Sequence, residues 1–442
     1  MRFSIDEIVN NSDAEIIFNR DLDGVFDIST DTRKIHKGDI YLPLRGENFD
    51  GHNFIDKAIE NGALGYFTQD KRKINKNANF VLYSKNTLIT YLQLANYIRN
   101  KVNPKVVAVT GSCGKTTVKE MLASVLSTEY NVHKSILNHN NEIGLCETMF
   151  NMPLDTEVLV IEMGMRNLGE IQMLSKYARH DIGVITNVGS AHVERLGSLK
   201  NIAIAKCEIA SFLNDNALLV AHDNKLIRDN LNFAGDVRYL SIKNTNSFKI
   251  DKNLSVFDYN SETFELKLEG EHNIENALLT IEVAKYLGLK TENIKKGLYN
   301  FIPIEKRWEI TKIDGITLIN DSYNANPESM KAVLKTFLSV YKESNNILVL
   351  GDMLELGKDE IKYHRELGEF LENYSNLKLV TVGKLAKHIG KNTNLNSVHF
   401  NSNEDCANYL AQNINDGDVL LFKASRSMKF EEIISYIGKK IW

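Results

Sequence analysis

The sequence predicts an α/β protein of three domains, the middle one built on a mainly parallel sheet. Three observations predict it. The chain has 442 residues, more than one ordinary core takes up. Two separate series of apolar runs alternate with amphipathic helical patterns, the signature of parallel strands covered on both faces. Between residues 106 and 122 an apolar run leads into a glycine loop and then a helical pattern, "VVAVTGSCGKTTVKEML".

The first hundred residues mix short strands and helices: "DIYLPL", then "NFIDKAIENGA", then "GYFTQ". A helix is expected over Thr87–Lys101, ended by Asn103-Pro104. From Val106 the alternation becomes regular. A strand (106–110), a loop and a helix (115–127) come first. Strands at 158–164 and 181–189 follow, then a helix from Leu199 to Leu213 and the strand in "NALLVAHDN". The second series starts near 316: "ITLINDS", a helix from Pro327, "NILVLGD", a helix near 361–373, "KLVTVG" and "DVLLFKAS" before a last helix. It predicts a smaller, Rossmann-like C-terminal domain. The expected boundaries are 1–102, 103–304 and 305–442.

Composition narrows the class. Apolar residues make up 43% and charged residues 25%, ordinary for a globular protein. Lys plus Arg number 53 against 57 Asp plus Glu, a net charge of −4, which gives no electrostatic reason to expect nucleic acid. No stretch approaches the ~18 apolar residues of a membrane span, and the N-terminus lacks a signal-peptide core. A cytoplasmic protein is expected. Cys113, Cys146, Cys207 and Cys406 are widely separated, which argues against a disulfide framework or zinc site.

The loop carries the chemistry. A glycine loop between strand and helix turns backbone N–H groups and a helix N-terminus toward an anion. Thr110, Gly111, Ser112, Cys113, Gly114, Lys115, Thr116 and Thr117 form the stretch. The two glycines permit close approach, Lys115 supplies charge for the outer phosphates, and Thr116 offers a hydroxyl to Mg²⁺. Cys113 reads as a tolerated small residue. The spacing T-G-x-x-G-K-T is shorter than the usual P-loop, and by itself does not separate a ligase from a kinase, a GTPase or a motor.

Ligands of open α/β sheets bind at the carboxyl ends of the strands. Glu162 ends "VLVIE", where a carboxylate needs a partner such as a metal ion. His192 follows "VITNVGSA"; it is either a structural imidazole or a ligand. Lys206 stands on an apolar stripe with Ile202, Ala203, Ile209 and Ala210, where an ammonium either snorkels to water or is buried and partly neutral.

Taken together, "TGSCGKT", "VIEMG", the "AH" after "TNVGS" and "AKCEI" resemble the Mur ligase family, over essentially the whole chain. "STDTRKIHKGDIYLPLRGENFDGHNF", "NHNNEIG", "NDSYNANPESM", "GDMLELG" and "KASRS" resemble the branch that adds D-alanyl-D-alanine to UDP-N-acetylmuramoyl-tripeptide. The resemblance implies a monomeric ligase of peptidoglycan precursor synthesis that makes an acyl phosphate from ATP. Its first domain would hold the uridine nucleotide sugar, its second ATP, and its third would close over both. It further implies Thr116 and Glu162 at a first Mg²⁺ and His192 at a second. Lys206 would be carbamylated to organise that second metal. Asn276 would contact adenine, and Arg307 and Asp321 would reach the nucleotide. Thr32 and Arg33 would hold the uridine nucleotide, and Ser425 and Arg426 would meet the peptide. Asn273 is expected as a helix N-cap, and Asn326-Pro327 as N-cap and first residue of the next helix. Lys306 and Ala424 depart from the pattern, since the family usually has glycine at both.

Two rivals remain. Another amide ligase on this scaffold, such as one elongating folate with glutamate, would begin close to its loop and lack the preceding hundred residues. A P-loop switch protein would need neither a third domain bearing Asp321 nor a lysine on an apolar stripe.

Overall fold

The computed structural model describes residues 2–20, 23–72, 74–136, 139–303, 306–375 and 377–441. The expected junction at 304/305 and Asn138 of "NHNNEIG" lie outside the described residues.

Three α/β layers follow one another along the chain, each with its own sheet. The first sheet has five strands in the order Glu15–Asn19, Phe80–Tyr83, Gly65–Thr68, Ile40–Tyr41 and Ile28–Ser29, antiparallel only at the first pair. The helix Thr87–Val102 leaves it. Asn86 caps its start by accepting from the N–H groups of Leu88 and Ile89. It stops at Asn103, whose left-handed backbone (φ 55°) precedes Pro104, as the Asn-Pro pair predicts.

The middle sheet is parallel throughout. Its order is Asp236–Leu240, Leu218–His222, Ile182–Ile185, Lys105–Thr110, Val158–Glu162 and Val132–Lys134. Alternation within Lys105–Thr110 feeds two cores. Val107 and Val109 join Val118, Leu122 and Val125 of the helix Lys115–Leu126. Val106 and Ala108 join Leu92, Ala95 and Ile98 of Thr87–Val102. The first layer is thereby packed onto the second through a shared core.

The third sheet runs Glu309–Ile313, Ile316–Asn320, Asp418–Lys423, Asn345–Gly351, Leu377–Val382 and Asn396–Phe400, antiparallel only at Glu309–Ile313.

The structure departs from the sequence reading in three places. The helix expected to reach Leu213 is α-helical only over Leu199–Cys207 and tightens to a 3₁₀ turn over Glu208–Phe212. There the Glu208 carboxylate accepts the N–H groups of Gly169 and Gln172 at the start of a neighbouring helix. A three-stranded antiparallel sheet, Ser247–Asp251, Leu254–Tyr259 and Glu262–Leu266, was not expected. Asn273 is no N-cap. The helix Glu271–Tyr286 starts from Gly270, and Asn273 sits inside its first turn with its side chain donating to the Glu269 carbonyl. Glycine takes the cap because the position has φ +109° and lies against the ring of His272.

Candidate active site

The carboxyl ends of the middle and third sheets face a cleft of about 480 Å³. The glycine loop forms one wall. Gly111 has φ +153°, and a Cβ there would stand 1.9 Å from the Thr186 hydroxyl oxygen. Gly114, at the cap of Lys115–Leu126, has φ +79°, and its Cβ would meet Asn276 Oδ1 at 2.8 Å. Both positions therefore demand glycine. Asn276, 7% exposed, packs directly on the loop.

Much of the loop's polarity is satisfied internally. The N–H groups of Ser112 and Cys113 donate to Asn187 Oδ1 at 3.0 and 2.8 Å, and the Ser112 hydroxyl donates to the Gly189 carbonyl. Thr110 Oγ1 donates to the Met163 carbonyl. Lys115 Nζ folds back to the Gly111 carbonyl at 2.8 Å. Thr117 lines the cleft one residue beyond Thr116.

Thr116 and Glu162 meet at the base. Thr116 Oγ1 donates to Glu162 Oε2 at 2.8 Å, and Asn140 Nδ2 donates to Glu162 Oε1 at 2.9 Å. Arg307 crosses from the third layer, its Nη2 donating to Thr116 Oγ1 at 3.0 Å. Its guanidinium lies 4.2 Å from the Tyr323 ring centroid. Asp321 accepts from the Trp308 N–H and pairs with the buried Lys423. The sequence reading brought together Lys115, Thr116, Glu162, His192, Asn276, Arg307 and Asp321, and all of them line this one cleft.

His192 has a left-handed backbone (φ 66°) and its Nδ1 lies 3.0 Å from Glu355 Oε2, a carboxylate of the third layer whose own φ is 62°. Burial, then the charge of Lys115, holds the imidazole below its ordinary range. Lys206 is 2% exposed, and Ile202, Ala203, Ile209 and Ala210 around it are buried. It does not snorkel. Burial, reinforced by Lys115, drives its amine well below the usual lysine range, and no carboxylate among the described residues pairs with it. It does not line the cleft, yet its charge is felt by His192.

A metal here would be held sparsely. Among the described residues, no three His, Cys, Asp or Glu side chains converge as a ready-made metal cage. A threonine hydroxyl beside one buried carboxylate suits a hard cation that takes its remaining ligands from phosphate and water.

Other expected site residues lie apart. Thr32 and Arg33 form a 3₁₀ turn in the first layer, with Arg33 exposed and paired to Asp31 at 2.8 Å. Ser425 is buried and accepts the Leu354 N–H, tying "KASRS" to "GDMLELG"; Arg426 pairs with Glu431 at 2.6 Å. None of the four lines the cleft.

Asn326 caps Pro327–Val340 as expected, accepting from the Ser329 N–H, and also donates to Cys113 Sγ at 3.0 Å. Cys113 is thus part of the contact between the second and third layers. The reading missed Asn140, Asn187, Lys423, Glu355 and Glu328, although each stands in a stretch it singled out; the Glu328 carboxylate accepts from Ser190 Oγ at 2.8 Å. Lys306, where the family usually has glycine, adopts φ +63° and pairs with Glu431, so the left-handed turn is kept with a lysine in it. Ala424 is fully buried without a left-handed backbone.

Three profiles match the chain: "Mur ligase family, catalytic domain" over residues 26–130, "Mur ligase middle domain" over 109–284, and "Mur ligase, glutamate ligase domain" over 306–426. A UDP-N-acetylmuramoyl-tripeptide–D-alanyl-D-alanine ligase of Bacillus subtilis is 37% identical, over 92% of each chain. The crystal structure of MurF from Acinetobacter baumannii superposes with a TM-score of 0.92 at 25% identity, covering 99% of each chain. MurF ligase from Thermotoga maritima in complex with ADP gives 0.85 at 27% identity, covering 94% of this chain and 97% of that one. With likeness of sequence and of fold both running nearly end to end, the chain belongs to the Mur ligase family.

Proposed function

We propose that this chain joins D-alanyl-D-alanine to UDP-N-acetylmuramoyl-tripeptide at the expense of ATP, in peptidoglycan precursor synthesis. The observation that carries the reading is the Arg307–Thr116 contact, which sets a cation of the third layer on the hydroxyl of the phosphate loop. A protein that only holds a nucleotide has no use for that arrangement. An enzyme that must gather charge over a transferring phosphoryl group does. The substrates for which the relatives are named, and ADP in the Thermotoga structure, supply the chemical identities.

A carboxylate is a poor acyl donor. ATP supplies a γ-phosphoryl group that converts it to an acyl phosphate, and Mg²⁺ supplies charge neutralisation between the phosphates. The amine of D-alanyl-D-alanine then attacks the acyl carbon. The C–N bond forms, the C–O bond to phosphate breaks, and the amine sheds a proton. Lys115 would unfold from the Gly111 carbonyl to the outer phosphates. Thr116 and Glu162 would hold one Mg²⁺. His192 and a carbamylated Lys206 would organise a second, the low-lying amine being a form able to add CO₂. Asn276 would meet the base, with Arg307 and Asp321 reaching the nucleotide from the third layer.

In this reading residues 1–102 hold the uridine nucleotide sugar through Thr32 and Arg33, 103–304 hold ATP, and 305–442 close over both. Ser425 positions the loop that meets the peptide, and Arg426 flanks it. The enzyme acts as a cytoplasmic monomer. No helix among the described residues is long and apolar enough to cross a membrane. Phosphate release with the UDP-sugar tripeptide and the dipeptide each omitted in turn tests the reading. Release should require both. Undiminished release without the dipeptide would remove it.

A further inference from the structure

The chain enters the third layer through residues 306–309, which lead into the strand Glu309–Ile313. Lys306 and Trp308, on either side of Arg307, both have left-handed backbones, with φ +63° and +57°. Such a conformation is rare for a bulky residue and persists where surrounding contacts hold it. For Trp308 those contacts come from two layers. Its backbone N–H donates to Asp321 Oδ1 of the third layer at 3.0 Å. Its indole Nε1–H donates to Glu269 Oε2 of the second at 2.5 Å.

Glu269 stands just before Gly270, the cap of the helix that carries Asn276, and is 1% exposed. Its other oxygen, Oε1, accepts the Asn253 N–H at 2.8 Å, and the Tyr341 hydroxyl lies 3.4 Å from it. Among the described residues its hydrogen-bond partners are all neutral donors. A buried carboxylate without a cation depends on each of them. The bond from Trp308 to a carboxylate is also stronger than one between neutral groups.

Arg307 has no comparable hold on its own side chain. Among the described residues its guanidinium makes one hydrogen bond, to Thr116, and otherwise lies against the Tyr323 ring. Its aim is therefore set by the backbone that carries it.

We infer that Trp308 is a positioning residue and Glu269 its anchor: the indole–carboxylate bond holds the left-handed turn that lays Arg307 on the phosphate loop. This rests on the role proposed for Arg307 and adds what keeps it in place. Without the bond the turn loosens, and the guanidinium spends less time at Thr116. A misplacement of about 1 Å at a reacting centre can cost about a hundredfold in rate.

The test is a double-mutant cycle in kcat for pentapeptide formation at saturating substrates: Trp308→Phe, Arg307→Ala, and the two combined. Trp308→Phe keeps an aromatic ring and removes the N–H. It should lower kcat by about 10–100-fold while KM for ATP stays within about threefold. In the Arg307→Ala background it should cost less than about threefold more, because no guanidinium is left to misplace. Glu269→Gln keeps an acceptor for the indole and should retain more of kcat than Glu269→Leu. These two enter the same cycle if Trp308→Phe does not fold, which unfolding midpoints decide. A Trp308→Phe cost that persists in full without Arg307 would overturn the inference. So would a raised KM for ATP at unchanged kcat, which would make Trp308 a wall of the nucleotide site. An Arg307→Ala variant as active as the parent would overturn the role of Arg307 itself, and the inference with it.

Discussion

Arg307 Nη2 donates a hydrogen bond of 3.0 Å to Thr116 Oγ1, although the two residues belong to different sheets and stand 191 positions apart. Arg307 has no acid partner among the described residues, and its charge is directed at the phosphate loop. Arg307→Ala should therefore lower kcat by about 10²–10³-fold, the cost of losing one charge-stabilising group. Arg307→Lys should recover only part, because an ammonium cannot copy the planar fork. Steady-state kinetics under saturating ATP check both, and a kcat within threefold of the parent for Arg307→Ala would contradict the assignment.

Among the described residues, Lys115 donates only to a carbonyl of its own loop. Lys115→Ala should thus keep the parent's unfolding midpoint while losing about 10²–10³-fold in turnover. Thermal unfolding and phosphate release, measured on the same sample, separate these effects. Near-parent turnover would mean that the outer phosphates lie elsewhere.

Lys206 is buried and unpaired by any described carboxylate, with its amine well below the usual lysine range. Lys206→Ala should fold and be almost inactive, and a small added carboxylate should restore part of the activity. Lys206→Glu should restore less, since its side chain is shorter than a carbamylated lysine. ¹³C NMR after exposure to labelled bicarbonate should show a carbamate carbon in the parent alone. A fully active alanine variant and no such resonance would remove the second-metal arrangement.

His180 is 2% exposed, and burial pushes its imidazole from 6.5 down to about 4. Above pH 6.5 it is neutral both folded and unfolded and adds no pH dependence. Between 6.5 and about 4 the unfolded chain binds the proton and the folded one does not. Stability should then fall by up to about 1.4 kcal/mol per pH unit. Urea unfolding at pH 8, 6 and 5 should show a shallower acid loss for His180→Phe than for the parent. Parallel curves would contradict this.

The parts legible in the sequence were those with local causes. The two glycines before Lys115 mark a turn that only glycine can make, and Ile202 and Ile209 on the same helical stripe made burial one of the two readings of Lys206, the one the structure shows. Asn326-Pro327 capped a helix as such pairs do. The hairpins of residues 247–266 left a faint local trace, two-residue turns at Lys252-Asn253 and Asn260-Ser261, with left-handed backbones at Asn253, Asn260 and Ser261. Neither turn carries the glycine that usually signals one. Glu355 on His192 and Arg307 on Thr116 depend on how separate layers meet, and Asn187 on the loop amides depends on which strands of the middle sheet lie side by side. No short-range pattern encodes such contacts. Asn273 shows the converse: its type suits a cap, but Gly270 already provides the backbone the cap needs.

The central claim is that the tripeptide's terminal carboxylate is phosphorylated before the amide forms. The most direct measurement uses UDP-N-acetylmuramoyl-tripeptide labelled with ¹⁸O in that carboxylate, together with ATP, Mg²⁺ and D-alanyl-D-alanine. Mass spectrometry should find one ¹⁸O in the released phosphate for each pentapeptide formed, because the C–O bond that breaks leaves a carboxylate oxygen on phosphorus. Unlabelled phosphate, or phosphate released with no pentapeptide, would contradict it.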